Sequence, residues 1–343
     1  MMQPILSICI PTYNGEKTIK NLLDILLPQV FNDVEIIVSD NCSTDSTSLI
    51  IQEYRKKYSF IKYFKNESNI GADGNFLRCM KIAKGRFIWL ISDDDLFMGD
   101  LSHIIGFLTK NMDLDLVYCS TANFYEHYSE KGDFVRPKDF INTDFVTLDK
   151  NLFFKYAKYY WGFVSSFIIN KKAFDLIESP ERFFGTYWLQ SYIHLNCIHK
   201  HSKLGVVGGI VVGAGVYITQ SNFDISLVDG VYYKKMLMSL VEIGFDKKEI
   251  EQWFVRRFTL LATHGIIKGK VNHNVLCSFR TAAKTLYPHV LAILRIGLCY
   301  CVPSFVCSIY FRYYRNKRKV TSSGTLNRPN DVSTKENSNG RTN

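Results

Sequence analysis

Phe87-Ile-Trp-Leu-Ile91-Ser-Asp-Asp-Asp95 decides both how this chain folds and where its chemistry sits. Five consecutive apolar residues read as a strand buried on both faces. Three carboxylates follow at once, and at such spacing they repel one another. Folding alone gives no reason to put them there. A divalent cation held by oxygen ligands gives one, and so does a diphosphate that needs a metal to neutralise it. The plainer alternative is a solvated acidic turn, which the buried strand before it argues against.

Upstream, the same pattern repeats. Leu6 to Ile10 is an apolar run closed by Pro11, and Val34 to Val38 is another that ends at Ser39-Asp40-Asn41. Ile61 to Phe64 is a weaker third strand. Between them, Thr18 to Leu27, Ser46 to Tyr58 and Gly74 to Ala83 carry apolar residues at helical spacing. Leu101 to Asn111 and Leu116 to Cys119 continue as helix and strand. This alternation predicts an α/β fold with a sheet covered on both faces and the ligand at the carboxyl ends of the strands. The polar clusters Pro11 to Asn14, Ser39 to Asp45 and Ser92 to Asp95 all fall there.

The rest of the chain is less regular. Val164 to Ile169 reads as a strand, Ser179 to Gly185 as a loop, Thr186 to His199 as a helix and Gly205 to Tyr217 as strand and turn. Residues 228 to 270 read as amphipathic helix. Pro288 to Phe311 is near membrane-spanning length, but Arg295 and Pro303 interrupt it. An interfacial helix pair and a buried helical hairpin both fit it. The block Arg312, Arg315, Lys317, Arg318 and Lys319 suits an anionic membrane surface, and no nucleic-acid motif accompanies it. Thr321 to Asn343 has the composition of a disordered tail. The expected units are therefore 1–120, a regular α/β half; 121–225, a less regular half; 226–320, a helical region; and the tail 321–343.

At 343 residues, with 47% hydrophobic and 22% charged residues, the chain suits a globular protein with a net charge of +10. Nine scattered cysteines without metal-binding spacing suit reduced, buried thiols. Met1 to Ile5 runs into a strand without a signal-peptide pattern, which fits a cytoplasmic protein. There is no Gly-x-Ser-x-Gly elbow. Asn69-Ile-Gly71 and Gly74-Asn75 form a glycine-punctuated loop before a helix, suited to close backbone approach by a ligand, but no Walker Gly-Lys-Ser/Thr follows. Asp40 suits hydrogen bonding to a base or ribose, or equally an Asx turn.

Together, Ser7-Ile-Cys-Ile-Pro-Thr-Tyr-Asn14, Val38-Ser-Asp-Asn-Cys-Ser-Thr-Asp45, Asn69-Ile-Gly71 and Ser92-Asp-Asp-Asp95 resemble glycosyltransferase family 2 over roughly residues 5 to 120. Within that family the chain is most similar to the abequosyltransferase-type enzymes of bacterial O-antigen synthesis. The resemblance implies a GT-A fold: a Rossmann-like mixed sheet flanked by helices, here with a C-terminal helical region. It implies a nucleoside diphosphate-sugar donor and Mn2+ or Mg2+. Pro11, Thr12, Tyr13, Asn14, Asp40, Asn69, Gly71 and Asp93 would bind the nucleotide-sugar, and Asp94 and Asp95 the metal. The acceptor would be a lipid-linked oligosaccharide, met at the inner face of the cell membrane.

Two positions depart from the family pattern. Ile91 stands where a further acidic residue is common. The acceptor stretch Gly185-Thr-Tyr-Trp-Leu-Gln190 has no carboxylate to serve as general base, which leaves Glu178, Glu181 and His194 nearby. Both stereochemical outcomes stay open. So do transfer to capsule, teichoic-type polymer or protein, and a nucleotide-sugar-binding protein without activity.

Overall fold

The computed structural model describes residues 3–125, 134–135, 141–157, 160–198, 202–216, 224–242, 244–271, 275 and 277–309. The basic block at 312–319, the segment from 321 to 343, Phe311, Tyr217, His199 and His201 lie outside the described residues.

The first strand, β1 (Leu6–Thr12), pairs parallel with β2 (Val34–Asp40), and β2 with β3 (Ile61–Lys65). On its other side β1 pairs parallel with β4 (Phe87–Leu90). The helices between them are α1 (Ile19–Leu26), α2 (Thr47–Lys57) and α3 (Gly71–Ile82). Side chains of a strand alternate between faces, and here both faces are covered. Ile8, Ile10, Ile36 and Trp89 pack with α1 and with α4 (Leu101–Lys110). Cys9, Ile37, Ile88 and Leu90 pack on the opposite face with Leu77 and Met80 of α3. That is why these strands read as unbroken apolar runs rather than as alternating ones.

Beyond β4 the sheet becomes mixed, in the order β3-β2-β1-β4-β9-β6-β10-β5. Its other strands are β5 (Leu96–Phe97), β6 (Leu116–Tyr125), β7 (Phe134–Val135), β8 (Phe145–Thr147), β9 (Phe167–Asn170) and β10 (Leu204–Val216). Strand β9 runs antiparallel to both β4 and β6. The stretch read as a strand from Val164 is shorter than expected. Val164–Ser166 winds as a 3₁₀ turn instead, because its serines are engaged sideways. Ser165 donates to Asp95, and Ser166 pairs with Thr121.

Helices α5 (Lys150–Ala157), α6 (Lys171–Asp175) and α7 (Leu189–Asn196) follow, then a π-helical turn (Ser226–Tyr232), α8 (Tyr233–Glu242), α9 (Lys247–Val271), α10 (Phe279–Leu286) and α11 (Val290–Cys301). Phe254 and Ile296 of this last region belong to the same buried cluster as Cys9 and Ile37, so the helices close over the sheet. The apolar stretch from Pro288 breaks after Cys301. Helical backbone resumes only at 304–309, beyond Pro303. Among the described residues no helix is long and apolar enough to cross a membrane. All nine cysteines are free.

Candidate nucleotide-sugar site

Register builds the site. Cys9 of β1 stands opposite Leu90 of β4, so three residues further on Thr12 meets Asp93. The Thr12 hydroxyl donates to Asp93 Oδ2. A Cβ on Gly15 would collide with that Asp93 oxygen and with Thr12 Oγ1, so only glycine lets the β1–α1 turn pass. Burial is the main cause that pushes Asp93 up to about 7; the charge of Asp94 adds to it, and the Thr12 hydrogen bond offsets part. Asp94 accepts from Ser92 Oγ. Asp95 turns the other way: it is 4% exposed and takes the Ser165 hydroxyl at 2.6 Å.

The second wall is the end of β2. Asp40 is fully buried, with Oδ1 accepting from Ser43 N at 2.7 Å and Oδ2 from Tyr63 Oη at 2.7 Å and Ser48 Oγ at 2.9 Å. Burial opposes its charge, but these hydrogen bonds outweigh it and hold the carboxyl below its ordinary range. Both its oxygens therefore organise the loop. Asn14 sits in the left-handed region (φ 52°) and accepts from Thr44 N at 2.9 Å, lacing the two loops together. Pro11 is the buried penultimate residue of β1, and the Tyr13 ring is 48% exposed beyond it.

A set of asparagines closes the third side. Asn41 donates to Asn69 Oδ1 at 2.8 Å, and Asn69 Oδ1 also accepts Gly71 N at 2.8 Å. Asn41 Oδ1 takes Ile70 N at 2.9 Å. These bonds start α3 three residues earlier than the spacing predicts, with Gly71 at φ 78°. Asn75 locks back onto Ser39 through two bonds of 2.7 and 2.8 Å.

None of the three acceptor-side candidates reaches this crevice. His194 is a core histidine, 2% exposed and tilted against Phe167 with ring centroids 4.5 Å apart. Burial lowers it to about 3, so it is neutral. Glu181 pairs with Lys81 at 2.5 Å, and Lys81 lies about 15 Å along α3 from its crevice end. Glu178 lines a cavity of about 810 Å³ with Arg86, Asp113 and Asn170, at the amino edge of β4.

Another carboxylate serves the acceptor loop. Asp73 of α3 reaches across to it, and its Oδ2 accepts Thr186 N at 3.0 Å and Tyr187 N at 3.1 Å. Burial raises its carboxyl above the ordinary value, and these amides offset part of that. The loop needs such a clamp, because Gly185 (φ 73°) and Tyr187 (φ 63°) are both left-handed. That strain also delays α7 to Leu189, past the expected Thr186. The π-helical turn that carries Asp229 is tied to this loop through its neighbour Val228. Trp188 Nε1 donates to Val228 O at 2.8 Å, and Arg257 lies over the Trp188 and Tyr233 rings. Burial pushes Asp229 up to about 6, opposed by Arg257.

Among the described residues no three His, Cys, Asp or Glu side chains form a ready metal cage. Magnesium-type ions are usually held by one or two carboxylates, with phosphate and water completing the shell. Asp93 and Asp94 fit that donor pattern, because a cation would offset both the burial and the neighbouring charge that raise Asp93.

A parallel β1–β4 edge carrying Thr12, Asp93 and Asp94, joined to a mixed second half, defines a GT-A fold. Solved structures share it. The S. aureus TarS fragment 1–349 aligns with a TM-score of 0.60 and 16% identity, covering 88% of this chain and 87% of that one. The mannosyltransferase PcManGT from Pyrobaculum calidifontis, solved with GDP-Man and Mn2+, aligns at 0.53 with 11% identity, covering 93% and 81%.

Residues 7–172 match the family model Glycosyl transferase family 2. Abequosyltransferase RfbV of Salmonella typhimurium is 31% identical over 202 residues, which are 56% of this chain and 59% of that protein. The GalNAc(5)-diNAcBac-PP-undecaprenol beta-1,3-glucosyltransferase of Campylobacter jejuni is 28% identical over 210 residues, 59% of this chain and 64% of its own length. The match thus spans less than two thirds of either relative.

Proposed function

We propose that the protein transfers a sugar from a nucleoside diphosphate donor to an acceptor hydroxyl during assembly of a bacterial surface polysaccharide, with a lipid-linked oligosaccharide as acceptor. The observation that carries this reading is the Thr12–Asp93 contact with Asp94 beside it, at the carboxyl edge of β1 and β4. The family match of residues 7–172 supports the reaction class, and the Salmonella and Campylobacter relatives support the pathway.

In this reading Pro11 and the exposed Tyr13 ring flank the base, and Asn14, Asp40, Asn69 and Gly71 shape the pocket through the loops they hold. Asp93 and Asp94 would hold Mn2+ or Mg2+, and Asp95 supports them through Ser165. The metal, when bound, neutralises the leaving diphosphate. The chain's own contribution is to position the donor and exclude water along a pre-built crevice. On the acceptor side Asp73 fixes the loop, and Asp229, in the turn tied to that loop through Val228, is the candidate to accept the proton of the attacking hydroxyl.

Release of nucleoside diphosphate from UDP-, CDP- and GDP-sugars with Mn2+ tests this. Asp94→Ala is expected to lower turnover at least 100-fold, about the weight of removing one electrostatic stabiliser of the leaving group. Full activity in that variant would sink the metal assignment. Donor binding without turnover on any acceptor would make the protein a nucleotide-sugar-binding module instead.

A further inference from the structure

The C-terminal helices carry a surface that the transfer chemistry does not use. A groove of about 720 Å³ runs between the π-helical turn with α8 and α10. Lys234, Lys235, Arg280 and Lys284 line it, together with Val231 and Met238, and no carboxylate does. Lys235, Arg280 and Lys284 are exposed. Lys234 is half-buried and tied to Thr285 O at 2.7 Å. Four like charges around one groove repel one another, and an anionic partner would relieve that repulsion.

On α10, Arg280 and Lys284 are one turn apart, and the same face continues to Tyr287, 73% exposed. There α11 begins. Its outward row is Leu291, Leu294 and Leu298, at 83%, 57% and 67% exposure; Phe305 at 68% and Ile309 at 64% are exposed too. The spacing of three and four residues makes Leu291, Leu294 and Leu298 one helical stripe, and Phe305 and Ile309 lie beyond the break at Pro303. Arg295 is exposed within it. A leucine stripe of this kind is costly in water. Single exposed leucines are ordinary, but a row of them marks an interaction surface. In sequence, the ten residues after Ile309 hold Arg312, Arg315, Lys317, Arg318 and Lys319.

We infer that the Lys235–Arg280–Lys284 groove and the Leu291–Leu294–Leu298 stripe form a docking surface for an anionic lipid bilayer, the groove taking lipid phosphates and the stripe entering the headgroup boundary. Apolar burial combined with basic residues is how interfacial helices hold a membrane. A second copy of the chain would bring the same positive charge to the contact, which argues against self-association through this face. The inference is independent of the transfer reaction, although it would also bring the crevice close to a lipid-linked acceptor.

The test is co-flotation of the full chain with vesicles of phosphatidylcholine alone or mixed with phosphatidylglycerol. Binding is expected on the anionic vesicles and to fall with added salt. The triple change Lys235→Gln, Arg280→Gln, Lys284→Gln should weaken that partition on the order of 100-fold, at roughly fivefold per cation. The change Leu291→Ser, Leu294→Ser, Leu298→Ser should abolish whatever binding survives high salt. Calorimetric binding of UDP or CDP by the same preparations shows that each variant is folded, and it separates failure here from failure of the proposed function. Equal partition onto both vesicle types would overturn the inference. So would full partition of the triple glutamine variant, which would leave the binding to the basic block alone. Inorganic phosphate binding in the groove without vesicle binding, or a dimer by light scattering that the serine variant dissolves, would overturn it as well.

Discussion

Asp93 carries two messages in one side chain. Its ordinary value is 3.8 and the folded value is about 7, so the folded state holds more protons across that interval. Its contribution to stability is present in acid and is lost as pH rises through 7. A cation needs the deprotonated pair, so protons compete with it. Thermal stabilisation by Mn2+ is therefore expected to shrink as pH falls below 7, and a pH-independent increment in a thermal-shift series would contradict the assignment. His194 behaves oppositely. Its folded value is about 3 against an ordinary 6.5, so the unfolded chain takes up a proton first and stability falls as pH drops below 6.5. At pH 5 that is about 2 kcal/mol. His194→Phe should remove this acid loss in denaturant unfolding and leave transfer intact; lost activity with a retained fold would return His194 to the site. The sequence alone could not separate these residues, because a titratable group near a motif looks the same whether it faces a crevice or a core.

Helix α3 links the two halves of the proposed reaction. Its first turn is held by Asn41 and Asn69 on the donor side, and Asp73, two residues after Gly71, holds the strained loop at Thr186 and Tyr187. Asp73→Ala leaves two backbone donors without their carboxylate, at a cost of about 1–3 kcal/mol. Donor affinity should be nearly unchanged while acceptor KM rises; a loss confined to donor binding would show that the clamp serves the other side. The strands and helices of this half were readable from apolar runs and periodicity, to within a residue or two for β1, β2 and α1. The start of α3 and the delay of α7 were not. Both are set by side chains from other segments, and Asp73 is 113 residues from its Thr186 partner.

Across the molecule, the C-terminal helices complete the core and tie the π-helical turn that holds Asp229 to the Gly185–Gln190 loop through Trp188. A carboxylate poised near neutrality in a turn tied to a loop that has none of its own suits a general base. Asp229→Asn is expected to lower transfer at least 100-fold with donor binding kept, since general base catalysis contributes on that order. Wild-type turnover in this variant, followed by product release with a natural acceptor, would remove Asp229 from the mechanism. Sequence reading sought the base between 178 and 194 because it lies near the acceptor stretch along the chain. The π-helical turn adds a candidate from outside that window.

The sequence by itself determined the sheet, its two-sided cover and the donor edge. Apolar runs closed by Pro11, Asp40 and Asp93 are local signals, and parallel pairing places all such strand ends on one rim. Only the tertiary structure decided which polar groups face the crevice. It turned Asp95 inward to Ser165, spent Asp40 on its own loop, buried His194, and brought Asp73 and the π-helical turn onto the Gly185–Gln190 loop. Burial and long-range hydrogen bonding set those outcomes, and neither is a property of a residue's neighbours in sequence.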